Sequence, residues 1–380
     1  MSVKKIAMSG RLKCRIGRLF VVWTAAATLL LGQTAWACTS FTIKATDGSV
    51  IYGRTMEFGL EMESRVMFIP RAHLLEAAAP PGRKGMTWQS KYAVVGMNAF
   101  GLTSIIDGVN EKGLAGGVLY FPGYAQYADP ASVSAEKSLA PWDLLTWALT
   151  RFATVAEVKA ALSQVAVVNI KQEAMGGLIP PLHYTLHDRS GASIVIEPIN
   201  GELRLHDNPM GVLTNSPPFE WHMINLGNYV KLSATEAPAL RIEGQTIAPS
   251  GQGSGLLGVP GDPTPPSRFV RAIGYSISAS RQAPGLPSVK LAEHIANSFD
   301  IPKGWIKPTG QHAELMDYTQ WTTVIDLSNL RYYVKSYDDQ TLRLVDLKSF
   351  DLDAKAVSSA ALSTGAEPAT GLAFKTQAAH

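Results

Sequence analysis

Through the first third of the chain, short runs of alternating apolar and polar positions are separated by turn residues. Residues 38–45 (CTSFTIKA) alternate, 47–49 (DGS) read as a turn, and 50–58 (VIYGRTMEF) follow, which predicts an antiparallel hairpin. Residues 65–71 (RVMFIPR) and 91–98 (KYAVVGMN) read as further strands, and 101–121 place Asn110-Glu111-Lys112-Gly113 between two apolar runs, a second hairpin. The period then changes. Pro141-Trp142-Asp143 opens a stretch with apolar residues near every 3.6 positions, predicting helix with a break around Ala153-Thr154. Residues 182–198 form a hairpin pattern around 188–191 (DRSG), 267–278 and 289–299 are helical, and 319–347 return to strands. Strand runs at both ends with helices between them predict stacked sheets covered by helices, an α+β fold. From 354 to 380 the chain has 9 alanines in 27 residues and holds neither period, so it reads as a poorly ordered tail behind a domain spanning 38–353.

The segment ahead of residue 38 has a different grammar. Lys4, Lys5, Arg11, Lys13, Arg15 and Arg18 come without one acid, and 19–32 (LFVVWTAAATLLLG) are apolar. That run falls short of the roughly 20 residues a bilayer span needs. Ala35-Trp36-Ala37 then supplies a small-x-small cleavage pattern. Residues 1–37 are therefore expected to be a signal peptide cut between Ala37 and Cys38. The mature chain would be periplasmic or secreted, with no stable membrane anchor. A lipoprotein or binding protein modified at Cys38 is the alternative from another class, although Ala35 and Trp36 stand where a lipobox wants Leu and a small residue.

Without those 37 residues and their six basic side chains, the formal charge of +3 becomes −3. The apparent basicity belongs to the leader, and no Lys/Arg cluster marks a nucleic-acid footprint. Of the two cysteines, Cys14 leaves with the leader, so Cys38 is a lone thiol without a disulfide partner. Other motifs lead nowhere. Gly253-Ser254-Gly255-Leu256-Leu257-Gly258 matches GxGxxG but runs into Pro260 where a helix should begin. Residues 251–255 (GQGSG) are one position out of phase with a GxSxG elbow. His183 and His187 lie four apart on one strand with no third ligand spaced to match, so they read as structural and no metal is expected.

Cys38 stands apart because its position supplies chemistry. An ordinary thiol titrates near ~8.5 and an α-amine near ~7.7–8.0, so a neutral amine on the same carbon can take the thiol proton. Cleavage after Ala37 would then be an activation step. Arg54, folded back beside Cys38 by the hairpin, would stabilise the thiolate and lower its pKa. A buried arginine needs a carboxylate, and Glu57 is near enough in sequence to provide one.

These residues carry a resemblance. Cys38-Thr39-Ser40, Gly53-Arg54-Thr55-Met56-Glu57, residues 107–114 (DGVNEKGL), residues 211–217 (GVLTNSP), Trp221-His222, Gly261-Asp262, residues 264–269 (TPPSRF) and Tyr318-Thr319 together resemble the choloylglycine hydrolase family of conjugated bile salt hydrolases and penicillin V acylases. The resemblance covers 38 to about 350. It implies an N-terminal-nucleophile amidohydrolase with a four-layered αββα sandwich, commonly a homotetramer. Cys38 would be the nucleophile, Arg54 its electrostatic neighbour, Glu57 the holder of the α-amine, Asn215 an oxyanion donor and Arg268 a support for the nucleophile. The backbone amide near Tyr120 would join Asn215 at the oxyanion. The family usually carries Asp where Glu57 stands. Tyr120 is similar to penicillin V acylases at a position often Asn in bile salt hydrolases. The block between Asn215 and Arg268 keeps a full-length assembly loop, as on the bile salt side. The resemblance implies hydrolysis of linear amides with a bulky apolar acyl group, glycine- or taurine-conjugated bile salts first and penicillin V or another N-acyl amide as the alternative. The partner is a small-molecule amide, and no cofactor is expected.

Overall fold

The computed structural model describes residues 37–309, 315–362 and 375–376. The expected leader, up to residue 36, lies outside the described residues, as does most of the expected tail. In chain order the sandwich strands are β1 (Cys38–Lys44), β2 (Val50–Phe58), β3 (Arg65–Ile69), β4 (Val94–Met97), β5 (Asp107–Asn110), β6 (Ala115–Tyr120) and β7 (Leu182–His187). They continue as β8 (Ser193–Ile199), β9 (Glu202–Asp207), β10 (Tyr318–Asp326), β11 (Arg331–Ser336), β12 (Arg343–Asp346), β13 (Ser358–Ala361) and β14 (Lys375–Thr376). Two antiparallel sheets result. One has the order β1-β2-β10-β11-β12, the other β9-β8-β7-β6-β5-β4-β3-β13-β14.

Helices α4 (Pro265–Ser278) and α5 (Leu286–Asn297) pack on the first sheet, against β1 and against β2 and β10. Helix α1 (Leu144–Arg151) packs on β5 and β6 of the second. The layers are helix, sheet, sheet, helix, the αββα sandwich expected. The expected break between α1 and α2 (Val155–Ala161) has a local cause: Thr154 Oγ1 accepts from Glu157 N at 3.2 Å, and Glu157 Oε2 accepts from Ala153 N at 2.8 Å. That reciprocal pairing starts a new helix where the old one ends.

Strand β2 is the centre of the design. All nine of its residues are buried, because β1 and β10 flank it, the second sheet covers one face and helices cover the other. It nevertheless carries Arg54, Thr55 and Glu57, which must find polar partners inside the protein. Alternation sends Arg54 and Met56 to one face and Thr55 and Glu57 to the other.

One expectation is corrected here. Residues 358–361, assigned to the tail, form β13 beside β3, with Ser359 and Ala360 buried. Small Ala and Ser side chains carry little strand preference, so ladder hydrogen bonds to β3 hold a segment whose hydrophobic pattern is blank. Strand β9 was also missed, being a half-exposed edge that extends the β7–β8 hairpin.

Candidate active site

Cys38 opens β1 opposite Met56, so its thiol shares the inner face with Met56 and Arg54. The sulfurs of Cys38 and Met56 are 3.6 Å apart, and Arg54 Nη2 is 3.9 Å from each. Arg54 reaches across to the second sheet, where Nη1 donates to Ile106 O at 2.6 Å and Nη2 donates to Val118 O. It passes over Gly117, where an added Cβ would lie 2.7 Å from Nη1. Its ion-pair partner is Asp107 at 3.6 Å, not Glu57. The reason is strand geometry: three residues along β2, Glu57 points to the opposite face from Arg54.

On that outer face Glu57 Oε1 accepts from Thr319 Oγ1 at 2.9 Å. Burial pushes its carboxyl up to about 7, against the opposing pull of Arg268. The main chain ahead of Cys38 stays in register, since Glu57 N donates to Ala37 O at 3.0 Å. With Ala37 in place, the Cys38 nitrogen donates to Asn215 Oδ1 at 2.7 Å rather than to Glu57.

Arg268, on α4, gathers these groups. Its Nη1 donates to Cys38 O and, at 2.8 Å, to Thr39 Oγ1; Nη2 donates to Asn215 Oδ1 at 2.7 Å; Nε donates to Pro263 O at 2.8 Å. Burial brings the guanidinium down to about 10. Asn215 therefore has a fixed orientation: its oxygen accepts from two donors, and Nδ2 donates to Tyr120 O at 2.8 Å. One Nδ2 hydrogen has no acceptor among the described residues. Tyr120 meets Asn215 through its carbonyl, while its side chain lines the pocket beside the thiol.

Sequence reasoning expected Arg54 to lower the thiol pKa. Arg54 does pull it down, but burial outweighs that pull and the Cys38 thiol lies above its ordinary value. A buried thiol in this state needs a base to become a nucleophile. The cavity it faces is bounded by Met56, Phe58, Phe100, Ile106, Tyr120 and Met175 among others, and none of the described residues that line it is charged. Among the described residues there is no group of His, Cys, Asp and Glu arranged to hold a metal.

The residues foreseen from sequence thus meet: Cys38, Arg54, Asn215 and Arg268 form one cluster, Tyr120 borders it, and Glu57 backs it from the outer face. The sequence model described as "Linear amide C-N hydrolases, choloylglycine hydrolase family" matches residues 38–359, from this cysteine to the late strand β13. The chain belongs to that family. The family's members are amidohydrolases, and curated relatives place the chain among them at full domain length. A bile salt hydrolase/transferase from Clostridium perfringens is 34% identical over 322 residues, 83% of this chain and 94% of the relative. A conjugated bile acid hydrolase from Lactobacillus gasseri is 32% identical, covering 83% and 96%. The penicillin V acylase of Pectobacterium atrosepticum is 29% identical, covering 84% and 83%. In three dimensions, a cysteine-to-alanine variant of the Clostridium perfringens conjugated bile acid hydrolase matches with a TM-score of 0.75 at 31% identity, covering 86% of this chain and 97% of that one. This choloylglycine hydrolase family fold is the αββα sandwich described above.

Several site residues carried no role in the sequence reading. Asp107 and Thr319 sat inside motif blocks, but their partners come from strands more than 50 residues away in the chain. Met56 was hidden as an apolar residue in an apolar strand. The periodic pattern of β2 does put Met56 and Arg54 on one face, and that signal was available.

Proposed function

We propose that this family member is exported, cut after Ala37, and hydrolyses glycine- or taurine-conjugated bile salts through a thioester on Cys38. One observation carries the reading: the Cys38 thiol faces an uncharged apolar cavity while its backbone nitrogen and carbonyl are held by Asn215 and Arg268. An apolar acyl group fits such a cavity, and the anionic glycine or taurine end stays outside it. The names of the relatives support the same substrate class.

Freed at Ala37, the α-amine takes the thiol proton, and Sγ attacks the amide carbon. The carbonyl π electrons move to oxygen, which the remaining Nδ2 hydrogen of Asn215 stabilises. Collapse re-forms the carbonyl and breaks the C–N bond, and the leaving amine takes the proton from the ammonium. Water then attacks the thioester, releasing the acid and restoring the thiol. Arg54 favours the transient thiolate, and Arg268 keeps Asn215 oriented. No cofactor enters these steps.

Export rests on the basic, apolar and small-x-small order of the leader. A homotetramer is our reading of the segment between Asn215 and Arg268, where the hairpin Leu240–Ile242 and Gln245–Ile247 leaves Leu240, Ile242 and Ile247 at least half exposed. Penicillin V is the second substrate reading. It is favoured by Tyr120, whose ring meets that of Phe58 edge-on at 6.5 Å and narrows the cavity towards a compact aromatic acyl group. Initial rates on glycocholate, taurocholate and penicillin V decide: faster turnover of the two cholates is expected, and a marked preference for penicillin V overturns the bile salt reading.

A further inference from the structure

The backbone of Thr214 and Asn215 poses an accounting problem. Leu213 pairs with Ser40, exchanging hydrogen bonds of 2.8 and 3.1 Å, but that ladder ends there. The next two carbonyls are buried and need donors of their own. Each receives one from a histidine. His183 Nε2 lies 2.9 Å from Thr214 O, and His222 Nε2 lies 2.9 Å from Asn215 O. Both rings are fully enclosed.

A carbonyl oxygen only accepts, so both Nε2 atoms carry hydrogen. The other nitrogen of His183 lies 3.3 Å from Glu197 Oε1, and the same oxygen accepts from Phe219 N at 2.9 Å. Phe219 begins helix α3 (Phe219–Asn225), which carries His222. Glu197 on β8 thus ties the ring holding Thr214 to the helix that delivers the ring holding Asn215. Two stacked phenylalanines fix the ring planes: Phe121 lies on His183 with centroids 4.4 Å apart and planes within 5°, and Phe269 lies on His222 at 4.6 Å and 16°. Phe269 neighbours Arg268 in sequence, and Phe121 follows Tyr120, so both props adjoin residues that bond the Asn215 amide.

We propose that His183 and His222, joined through Glu197, are positioning residues that set the Thr214–Asn215 backbone and so aim the Asn215 amide at the reacting carbonyl. They touch no reacting atom. Among the described residues His222 has no partner at Nδ1, and burial brings its pKa down to about 4, so above that pH it serves as a neutral single donor. The contact with Glu197 fixes the plane of the His183 ring, whose Nε2–H is the donor to Thr214 O. The inference rests on the reading of Asn215 as an oxyanion donor.

The test is a double-mutant cycle on the cleaved enzyme, with kcat, KM and melting temperature measured for each protein. His222→Leu and His183→Leu are expected to lower kcat by about tenfold to a hundredfold, as small misplacements of a reacting group do, with KM within about threefold. His222→Gln keeps a donor near Nε2 and should restore kcat to within about threefold of wild type. In an Asn215→Ala background, either leucine variant should cost less than about twofold more, because the group being aimed is gone. Full additivity overturns the proposal, since the histidines would then act independently of Asn215. If the leucine variants do not fold, a His222→Gln enzyme that folds but shows the large kcat loss also overturns it. Near-normal kcat in Asn215→Ala alone overturns the oxyanion reading and this inference together, whereas a large loss there with unimpaired histidine variants defeats only the inference.

Discussion

Arg54 Nη1 and Asp107 Oδ1 lie 3.6 Å apart between the two sheets, with both side chains closed to solvent. Asp107 Oδ2 also accepts from Thr323 Oγ1 at 2.9 Å and Tyr332 OH at 2.8 Å, so the carboxylate joins β5 to β10 and β11. Arg54 joins β2 to the carbonyls of Ile106 and Val118. The pair therefore fastens one sheet to the other and holds a positive charge 3.9 Å from the Cys38 sulfur.

Removing the negative partner leaves a buried guanidinium with only neutral acceptors. Breaking a buried pair in this way costs about 3–5 kcal/mol. Asp107→Asn is expected to lower the urea midpoint by a corresponding amount, read from equilibrium unfolding. An unchanged midpoint would mean that the carbonyls alone compensate Arg54.

Asn215→Ala removes a group whose charge stabilisation belongs to the transition state. Loss of one such donor costs about 10²–10³ in kcat in a well-measured case. A fall in that range with little change in KM is expected. The same substitution takes an acceptor from Arg268 and from the Cys38 nitrogen, so some loss of melting temperature should accompany it. Near-normal kcat with a much lower melting temperature would make Asn215 a structural residue.

Asp317 gives a pH signature. Burial pushes its carboxyl from an ordinary 3.8 up to about 7, with Arg268 opposing, so the folded protein holds this proton more tightly than the unfolded chain. Its contribution to stability is complete below about pH 4 and is lost as pH rises towards 7. Asp317→Asn cannot ionise and should gain stability relative to wild type between those limits, measured by urea midpoints at several pH values. Parallel curves for the two proteins would exclude Asp317 as the titrating group.

Much of the sandwich was legible because both periods are clean where one face is buried. The β1–β2 hairpin and the α1–α2 break come straight from alternation and from Thr154. Strand β13 was not legible, because Ser358–Ala361 offers small side chains and no contrast between faces. Of the site, position alone exposed Cys38, and the family likeness supplied Asn215 and Arg268. The pairing of Arg54 was misread because nearness in sequence suggested Glu57, while strand alternation separates the two and brings Asp107 from another sheet. The roles of His183 and His222 depend on where the ladder from Leu213 stops, which no local pattern records.

The account turns on the α-amine of Cys38 as base, and one comparison tests it most directly. Two mass-verified proteins are needed, one starting at Cys38 and one keeping Ala37 ahead of it, the arrangement in which Glu57 N holds Ala37 O. Steady-state turnover of a conjugated cholate and of penicillin V is measured on both, with Cys38→Ser as the inactive reference. The chain starting at Cys38 is predicted to turn over at least one substrate, and the extended chain to match the serine variant although its thiol is intact. Turnover by the extended protein equal to that of the cleaved one would contradict the account and assign the base to another group.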